Sequence, residues 1–218
     1  MSADLLPVER AAQGLHAAEL ELWQAISSAV TPGSGTIITF TAPHAEAGTT
    51  SLAACTAAGL ARHLQLRIAI VEANLERPFL ASACGLDERP GLSEVLLGAV
   101  PLETALQRPD DLPSLTVLGG GAPRRVGSGE FAGEGLTRVL DQLRGSHDAV
   151  LIDAPPAMVE PGVLALVRAS HAAVAVSRAR VSTKGGIVDL QALVERAGTE
   201  FLGVVLNRWR PELSKGIG

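Results

Sequence analysis

Short apolar runs alternate with helix-like patterns along most of this chain. Each run is nearly continuous in apolar residues, which is typical of strands buried on both faces of a parallel sheet. The predicted strands are Thr36–Thr41, Arg67–Glu72, Leu115–Gly121, Asp148–Asp153, Ala172–Ser177 and Phe201–Asn207. The predicted helices are Leu15–Val30, Gly48–Leu64, Gly91–Gly98, Pro101–Leu106, Gly133–Gly145, Pro161–Ala169 and Gly186–Gly198. Their alternation predicts a three-layer α/β/α sandwich with a mainly parallel sheet.

The first predicted helix carries large apolar side chains on more than one face. Leu15, Leu22 and Ile26 fall roughly on one face, which is typical of a helix packed on a core. Leu20, Leu22 and Trp23 fit either core packing or a dimer contact, and core packing is the simpler interpretation. The helix therefore indicates a packed element without identifying a partner.

Length and composition favour one globular unit. The 218 residues suffice for one domain with a full core, and no repeat or linker divides them. We expect residues 1–14 to form a flexible arm and residues 15–218 to form a single domain. A net charge of −5 argues against nucleic acid or an anionic membrane surface as the main partner.

Cysteine use and the absence of targeting signals indicate a cytoplasmic protein. Cys55 and Cys84 have no metal-ligand spacing, which predicts two buried, reduced thiols. The N-terminus lacks the basic start and apolar run of a signal peptide. No stretch approaches the roughly 18 uncharged apolar residues of a membrane span. The chain also has no tyrosine, so it cannot phosphorylate itself on tyrosine.

The segment after the first strand has the position of a phosphate-binding loop. It reads TAPHAEAGTTSLA and connects a predicted strand to a predicted helix. Such a loop needs glycines whose amides surround phosphate, a lysine for the β- and γ-phosphates, and a hydroxyl for Mg²⁺. Here Gly48 is retained, Thr49 stands at the lysine position, and Thr50 keeps the hydroxyl. Taken alone, the segment also fits a plain strand–loop–helix turn.

Asp153 is the second candidate for chemistry. It ends the buried strand in VLIDAPP, and ligands of parallel sheets bind beyond the carboxyl ends of the strands. A carboxylate beside a phosphate loop can hold the Mg²⁺ shell or orient water. An aspartate that caps a helix or bonds a loop is the alternative.

Together these segments resemble the cytoplasmic domain of the bacterial tyrosine kinases (BY-kinases), a family of deviant-Walker ATPases that regulates capsule and exopolysaccharide export. The resembling segments are TFTAPHAEAGTTSLAACTAAGLA for the phosphate loop and helix, IAIVEANLERPFLASACGL for the second motif, GLSEVLLG for the glycine–leucine turn, HDAVLIDAPP for the third motif and FLGVVLNR for the last strand. The resemblance covers roughly Leu15 to Arg210, and it implies a P-loop NTPase-like fold.

The resemblance also implies a set of site residues, which matter only if a nucleotide binds. The cofactor would then be ATP or ADP with Mg²⁺, and the asparagine of the last strand would face the adenine. The implied cofactor-binding residues are Gly48, Thr49, Thr50, Glu72, Asp153 and Asn207. Thr50 and Asp153 would hold the Mg²⁺, and Asp153 would be catalytic in an active enzyme.

The chain departs from the family pattern at several functional positions. Thr49 replaces the loop lysine, and a lost charge-assisted contact costs about 1.5–3 kcal/mol. Glu46 replaces a loop glycine and brings a negative charge toward the β-phosphate position. The other departures are Glu72 and Asn74 for paired aspartates, Gly162 for an aspartate, and Gln24 and Ser27 for two arginines used in ring assembly. These changes favour a site that no longer transfers phosphate.

Some matching residues also have ordinary structural interpretations. Thr50 could cap a helix, Arg77 could pair with a surface carboxylate, and Asn207 could bond a turn. Trp209 follows the last predicted strand, near the asparagine that the resemblance places beside an adenine. Its side chain could cover the site or pack on the sheet.

The leading hypothesis is a degenerate BY-kinase-like protein, a pseudo-kinase or pseudo-ATPase, in capsule or exopolysaccharide biosynthesis and export. It would act by binding a membrane polysaccharide co-polymerase or a competent kinase paralogue, as a homodimer or heterodimer, in the cytoplasm or recruited to the inner membrane. One alternative is an active atypical ATPase or protein kinase with a phosphate loop that lacks lysine. Another is a positioning scaffold of a different envelope assembly.

Overall fold

A computed structural model describes residues 16–125 and 128–208 of the chain, and within them the strands form one seven-stranded sheet. The strands are β1 (Thr36–Thr41), β2 (Ile68–Glu72), β3 (Leu106–Gln107), β4 (Leu115–Leu118), β5 (Ala149–Asp153), β6 (Ala172–Arg178) and β7 (Glu200–Asn207). The helices are α1 (His16–Ala29), α2 (Thr49–His63), α3 (Leu80–Ala83), α4 (Leu92–Leu96), α5 (Leu102–Ala105), α6 (Ser128–Phe131), α7 (Glu134–Ser146), α8 (Val163–Arg168) and α9 (Lys184–Arg196).

The sheet is parallel except at one edge. Its order is β3-β4-β2-β5-β1-β6-β7, and β3 pairs antiparallel with β4. The mainly parallel α/β sandwich predicted from the sequence is therefore confirmed. The pattern analysis missed β3, because two residues carry no periodicity. Gln107 holds this short strand through two side-chain hydrogen bonds to the backbone of Asp87.

The core lies on both faces of the sheet. Ile37 and Ile38 of β1 belong to different apolar clusters, because successive side chains of a strand point to opposite faces. One cluster contains the alanine-rich helix α2, whose small side chains allow a helix to approach a sheet closely. The other contains the inward faces of α7, α8 and α9.

Helix α1 packs on this core as predicted, since Leu22 and Ile26 are buried. The side chains of Leu20 and Trp23, residues 1–14 and Trp209 lie outside the described part, so those expectations stay predictions. Cys55 and Cys84 are buried thiols. None of the helices in the described ranges combines the length and apolar character needed to cross a bilayer.

Candidate nucleotide-type site

Three neighbouring parallel strands end at one cavity. The carboxyl ends of β1, β2 and β5 are in register, with Phe40 and Glu72 each paired to Asp153. A cavity of about 400 Å³ opens beyond them, between the phosphate-loop segment and the turns that follow β2 and β5. Parallel sheets bind ligands at this edge. The predicted site residues Gly48, Thr49, Thr50 and Asp153 all line it.

The phosphate-loop segment has the backbone of a glycine-built loop. Gly48 precedes α2 with φ 88°, a left-handed conformation that favours glycine, and a Cβ there would collide with the Asn207 amide nitrogen. Glu46 also has a positive φ, 61°, although it carries a side chain. The helix N-terminus has no side-chain cap, so Thr50 does not act as one.

Residues from the ends of β6 and β7 hold this loop. The Asn207 side-chain amide donates a hydrogen bond of 2.8 Å to the Ala47 carbonyl oxygen. Arg178 donates a bond of 3.4 Å to the Glu46 carbonyl oxygen and lies 3.7 Å from the Glu46 carboxylate. The structural interpretation of Asn207 is therefore the observed one, and a contact between Asn207 and an adenine stays a prediction.

Two residues that help to hold this loop, Arg178 and Ser182, were not predicted from the sequence. His44 Nε2 and Ser182 Oγ lie 2.5 Å apart, and the Arg178 backbone amide donates to the same Ser182 oxygen. The second imidazole nitrogen lies 2.9 Å from the Ala45 carbonyl oxygen. Arg178 ends a parallel strand, so the rule that ligands gather at strand ends could have identified it. Ser182 gave no sequence signal.

Asp153 is a buried carboxylate without hydrogen-bond partners of normal geometry. It is 1 % exposed, and among the described residues neither carboxylate oxygen is paired. Burial disfavours the charged form and, with the nearby Glu72 carboxylate, raises the pKa of Asp153 to about 8, an effect that the Thr50 hydroxyl offsets only in part. The group neither caps a helix nor bonds a loop, so the structural alternative is not observed.

Glu72 lies beside Asp153 but has a different role. One of its carboxylate oxygens accepts hydrogen bonds from the Phe79 and Leu80 amides, and the other accepts one from Gly120. Burial raises the pKa of Glu72 and these amides lower it. Its side chain supports the turn into α3 and is not among the cavity-lining groups. Its predicted contact with a nucleotide stays a prediction.

Asn74 and Arg77 line the cavity, whereas Glu72 does not. The chain turns sharply after β2 ends, and this turn brings both residues to the opening. Arg77 is exposed and makes no ion pair with the described residues. The surface pairing considered for Arg77 is therefore not observed.

The residues that line the cavity fit the magnesium ion of a magnesium–nucleotide complex better than its polyphosphate. The Thr50 hydroxyl and the unpaired Asp153 carboxylate are oxygen donors of the type that Mg²⁺ prefers. The polyphosphate half fits poorly, because Thr49 carries no charge and Glu46 lines the loop with a carboxylate. No group of three or more metal-ligating side chains occurs in the described ranges.

Comparisons with known proteins find tyrosine-protein kinases among the relatives of this chain. No protein-family model matches the chain. The chain is 28 % identical over 184 residues to the tyrosine-protein kinase ptk of Acinetobacter johnsonii, covering 84 % of this chain and 25 % of the kinase. It is 26 % identical over 187 residues to the putative tyrosine-protein kinase EpsB of Ralstonia nicotianae, covering 86 % of this chain and 25 % of EpsB. The chain thus spans about a quarter of the length of these relatives.

Solved structures share the fold. The VpsO kinase domain matches with a TM-score of 0.78 at 19 % identity, covering 93 % of this chain and 98 % of that domain. The chimerical protein CapA2B2 matches with a TM-score of 0.75 at 24 % identity, covering 81 % of this chain and 77 % of that protein. The septum site-determining protein MinD of Pyrococcus horikoshii, complexed with Mg-ADP, matches at 0.69 and 22 % identity, covering 80 % and 71 %.

The likeness in fold extends across two kinds of P-loop protein, whereas the two curated relatives named above are tyrosine kinases. The sequence similarity to them covers more than four fifths of this chain. The chain is therefore similar in sequence, over most of its length, to about a quarter of each of these two kinases, and it shares its fold with the VpsO kinase domain and with MinD.

Proposed function

We propose that this chain is a pseudo-kinase relative of the BY-kinases that serves capsule or exopolysaccharide biosynthesis and export by binding other proteins. Its partners would be a membrane polysaccharide co-polymerase or a competent kinase paralogue, with which it forms a homodimer or heterodimer. It would work on the cytoplasmic side, recruited to the inner membrane by that partner.

One observation carries this proposal. Glu46 adopts the left-handed backbone that favours glycine, at the position where the related kinases have a loop glycine. The loop thus keeps the backbone shape of a phosphate loop, while a carboxylate has entered it and Thr49 has replaced its lysine. That combination supports descent from a working site with loss of phosphate transfer.

The proposal is tested by restoring the lost chemistry. We expect no ATP turnover by the purified protein and no heat on titration with about millimolar ATP or ADP, with or without Mg²⁺. The double variant Glu46→Gly, Thr49→Lys should gain nucleotide affinity of about tenfold or more, since a charge-assisted contact contributes about 1.5–3 kcal/mol. The matched control is Glu46→Gly, Thr49→Gln, which fills the same space without charge. Turnover by the unaltered protein, abolished in Asp153→Ala, would contradict the proposal.

An active atypical ATPase or kinase is the second candidate. It is favoured by Thr50 and Asp153, which line one cavity and offer oxygen donors for Mg²⁺, and by the Mg-ADP bound to the MinD neighbour. This candidate predicts ATP hydrolysis only in the presence of a partner that supplies a cation. Hydrolysis by such a complex that Thr50→Ala abolishes would establish it.

A positioning scaffold in another envelope assembly is the third candidate. A putative septum site-determining protein MinD of Emiliania huxleyi is 26 % identical over 186 residues, which favours this role. Co-purification with a polysaccharide co-polymerase supports the first proposal, whereas recovery in a different envelope complex supports this one.

A further inference from the structure

Carboxyl groups outnumber guanidinium groups among the residues that line the cavity. The carboxyl groups are those of Glu46, Glu76, Asp153 and Glu160, and the guanidinium among the described lining residues is that of Arg77. Those that are ionised and lack a cationic partner oppose the entry of a highly anionic ligand. The same charges attract a cation.

The carboxylates differ in how well they are already neutralised. Glu46 lies 3.7 Å from Arg178 and Glu76 lies 3.5 Å from Arg125. Asp153, at the base of the cavity, has no partner of normal geometry within the described residues. A buried carboxylate without a partner is unfavourable unless it stays protonated or acquires a donor. The Asp153 carboxylate therefore lacks a hydrogen-bond donor, and a donor that carries positive charge would also neutralise it.

The opening of the cavity is apolar on two sides. Phe79 is 57 % exposed and Val159 is 61 % exposed, and both line the cavity. Met158, next to Val159, is a further exposed apolar side chain. Large exposed apolar groups around a polar centre are typical of surfaces that bind other proteins. A free inorganic cation would leave these groups uncovered.

We propose that the cavity binds an arginine or lysine side chain carried on an apolar segment of a partner protein. The cationic head pairs with the Asp153 carboxylate, and the apolar flanks of the segment cover Phe79 and Val159. Charge and apolar surface thus select the same class of occupant. This inference rests on the proposed function, because it names the chemistry of the binding partner.

The test is titration calorimetry with a synthetic peptide of alternating leucine and arginine, about eight residues long, at pH 7. We expect Asp153→Asn to weaken binding about tenfold or more, as for loss of one partner of a buried charge pair. Glu160→Gln should weaken it less. The matched control, Glu103→Gln, removes an exposed carboxylate that is not part of the cavity lining and should change nothing.

Other probes separate the possible outcomes. A leucine–glutamate peptide should not bind, and a serine–arginine peptide should bind more weakly because it lacks the apolar flanks. Equal binding of the leucine–arginine peptide to the unaltered protein and to Asp153→Asn would overturn the inference. ATP turnover would instead overturn the proposed function, so the two failures are distinguishable.

Discussion

The two ends of strand β5 carry aspartates in opposite situations. Asp148, just before the amino end, accepts bonds of 2.8 Å from the Gly33 and Arg67 amides and a 2.8 Å bond from the Arg67 guanidinium. The Arg67 side chain lowers the pKa of Asp148 to about 2. Asp153, at the carboxyl end, has no such partner and its pKa is raised to about 8.

Asp148 is thus a carboxylate that stabilises the fold, whereas the ionised Asp153 carboxylate destabilises it. Asp148 joins three segments of the chain through Gly33, Arg67 and its own backbone. Among the described residues, Asp153 has no hydrogen-bond partner of normal geometry, and it lies at the edge where parallel sheets bind ligands. Unfavourable groups that persist in a folded protein are typical of functional sites. One end of β5 thus stabilises the fold, and the other end is the candidate ligand site.

Removal of the Asp153 carboxylate should give the largest effect. We expect Asp153→Asn to raise the free energy of unfolding by about 4 kcal/mol at pH 7. Well below the unfolded-state pKa of about 4 the group is protonated in both states, so its ionisation costs nothing. Between that pH and the folded pKa of about 8, ionisation favours the unfolded chain, and stability falls as pH rises. Urea denaturation of both proteins at pH 5, 7 and 8.5 measures the widening difference.

The expected pH dependence also provides the way to reject this prediction. If the unaltered protein and Asp153→Asn show parallel stability curves from pH 5 to 8.5, the Asp153 carboxyl is not raised in pKa. The contrast between the two ends of β5 would then be lost.

Removal of the Asp148 carboxylate should have the opposite sign and a smaller size. Arg67 is exposed, so water screens the pair, and we expect Asp148→Asn to lower the free energy of unfolding by about 1–2 kcal/mol at neutral pH. Because the folded pKa is depressed, this stabilisation is present above about pH 4 and is lost as pH falls toward the folded pKa of about 2. Thermal unfolding at pH 2 and pH 7 measures it. Asp110→Asn, at an exposed site, is the control and should leave stability unchanged.

The smallest expected effect concerns the coupling of Asp153 to Glu72. The Glu72 charge contributes to the raised pKa of Asp153, but burial is the larger cause. In Glu72→Gln the pKa of Asp153 should therefore fall and still remain above its ordinary value. Carboxyl-carbon NMR titration of Asp153 in both proteins detects the shift. An unchanged pKa would show that burial alone perturbs this group.

Much of the fold was predictable because its signals are local. Buried strands such as Ala149–Asp153 are continuous apolar runs, and the helix that follows Gly48 begins within one residue of its predicted start. The short elements Leu80–Ala83 and Leu106–Gln107 were missed, since they are too short to show a period. Their positions depend on contacts such as those of Glu72 and Gln107.

The candidate site was predictable in part. Gly48, Thr49, Thr50 and Asp153 line one cavity, as the rule for strand ends implies. The directions of Glu72 and Asn74 were not predictable. The chain turns after β2, so the first side chain supports a loop while the second reaches the cavity.

The sequence by itself determined the parallel α/β fold, the position of the phosphate-loop segment and the uncharged Thr49 within it, because each depends on residue type and local order. Only the tertiary structure decided which polar groups have partners. Asp148 and Asp153 belong to the same short stretch and have the same side chain, but one meets Arg67 and the other meets no donor of normal geometry. Hydrogen bonding and desolvation depend on neighbours distant in sequence, and these neighbours decide whether a carboxylate stabilises the fold or remains available to a ligand.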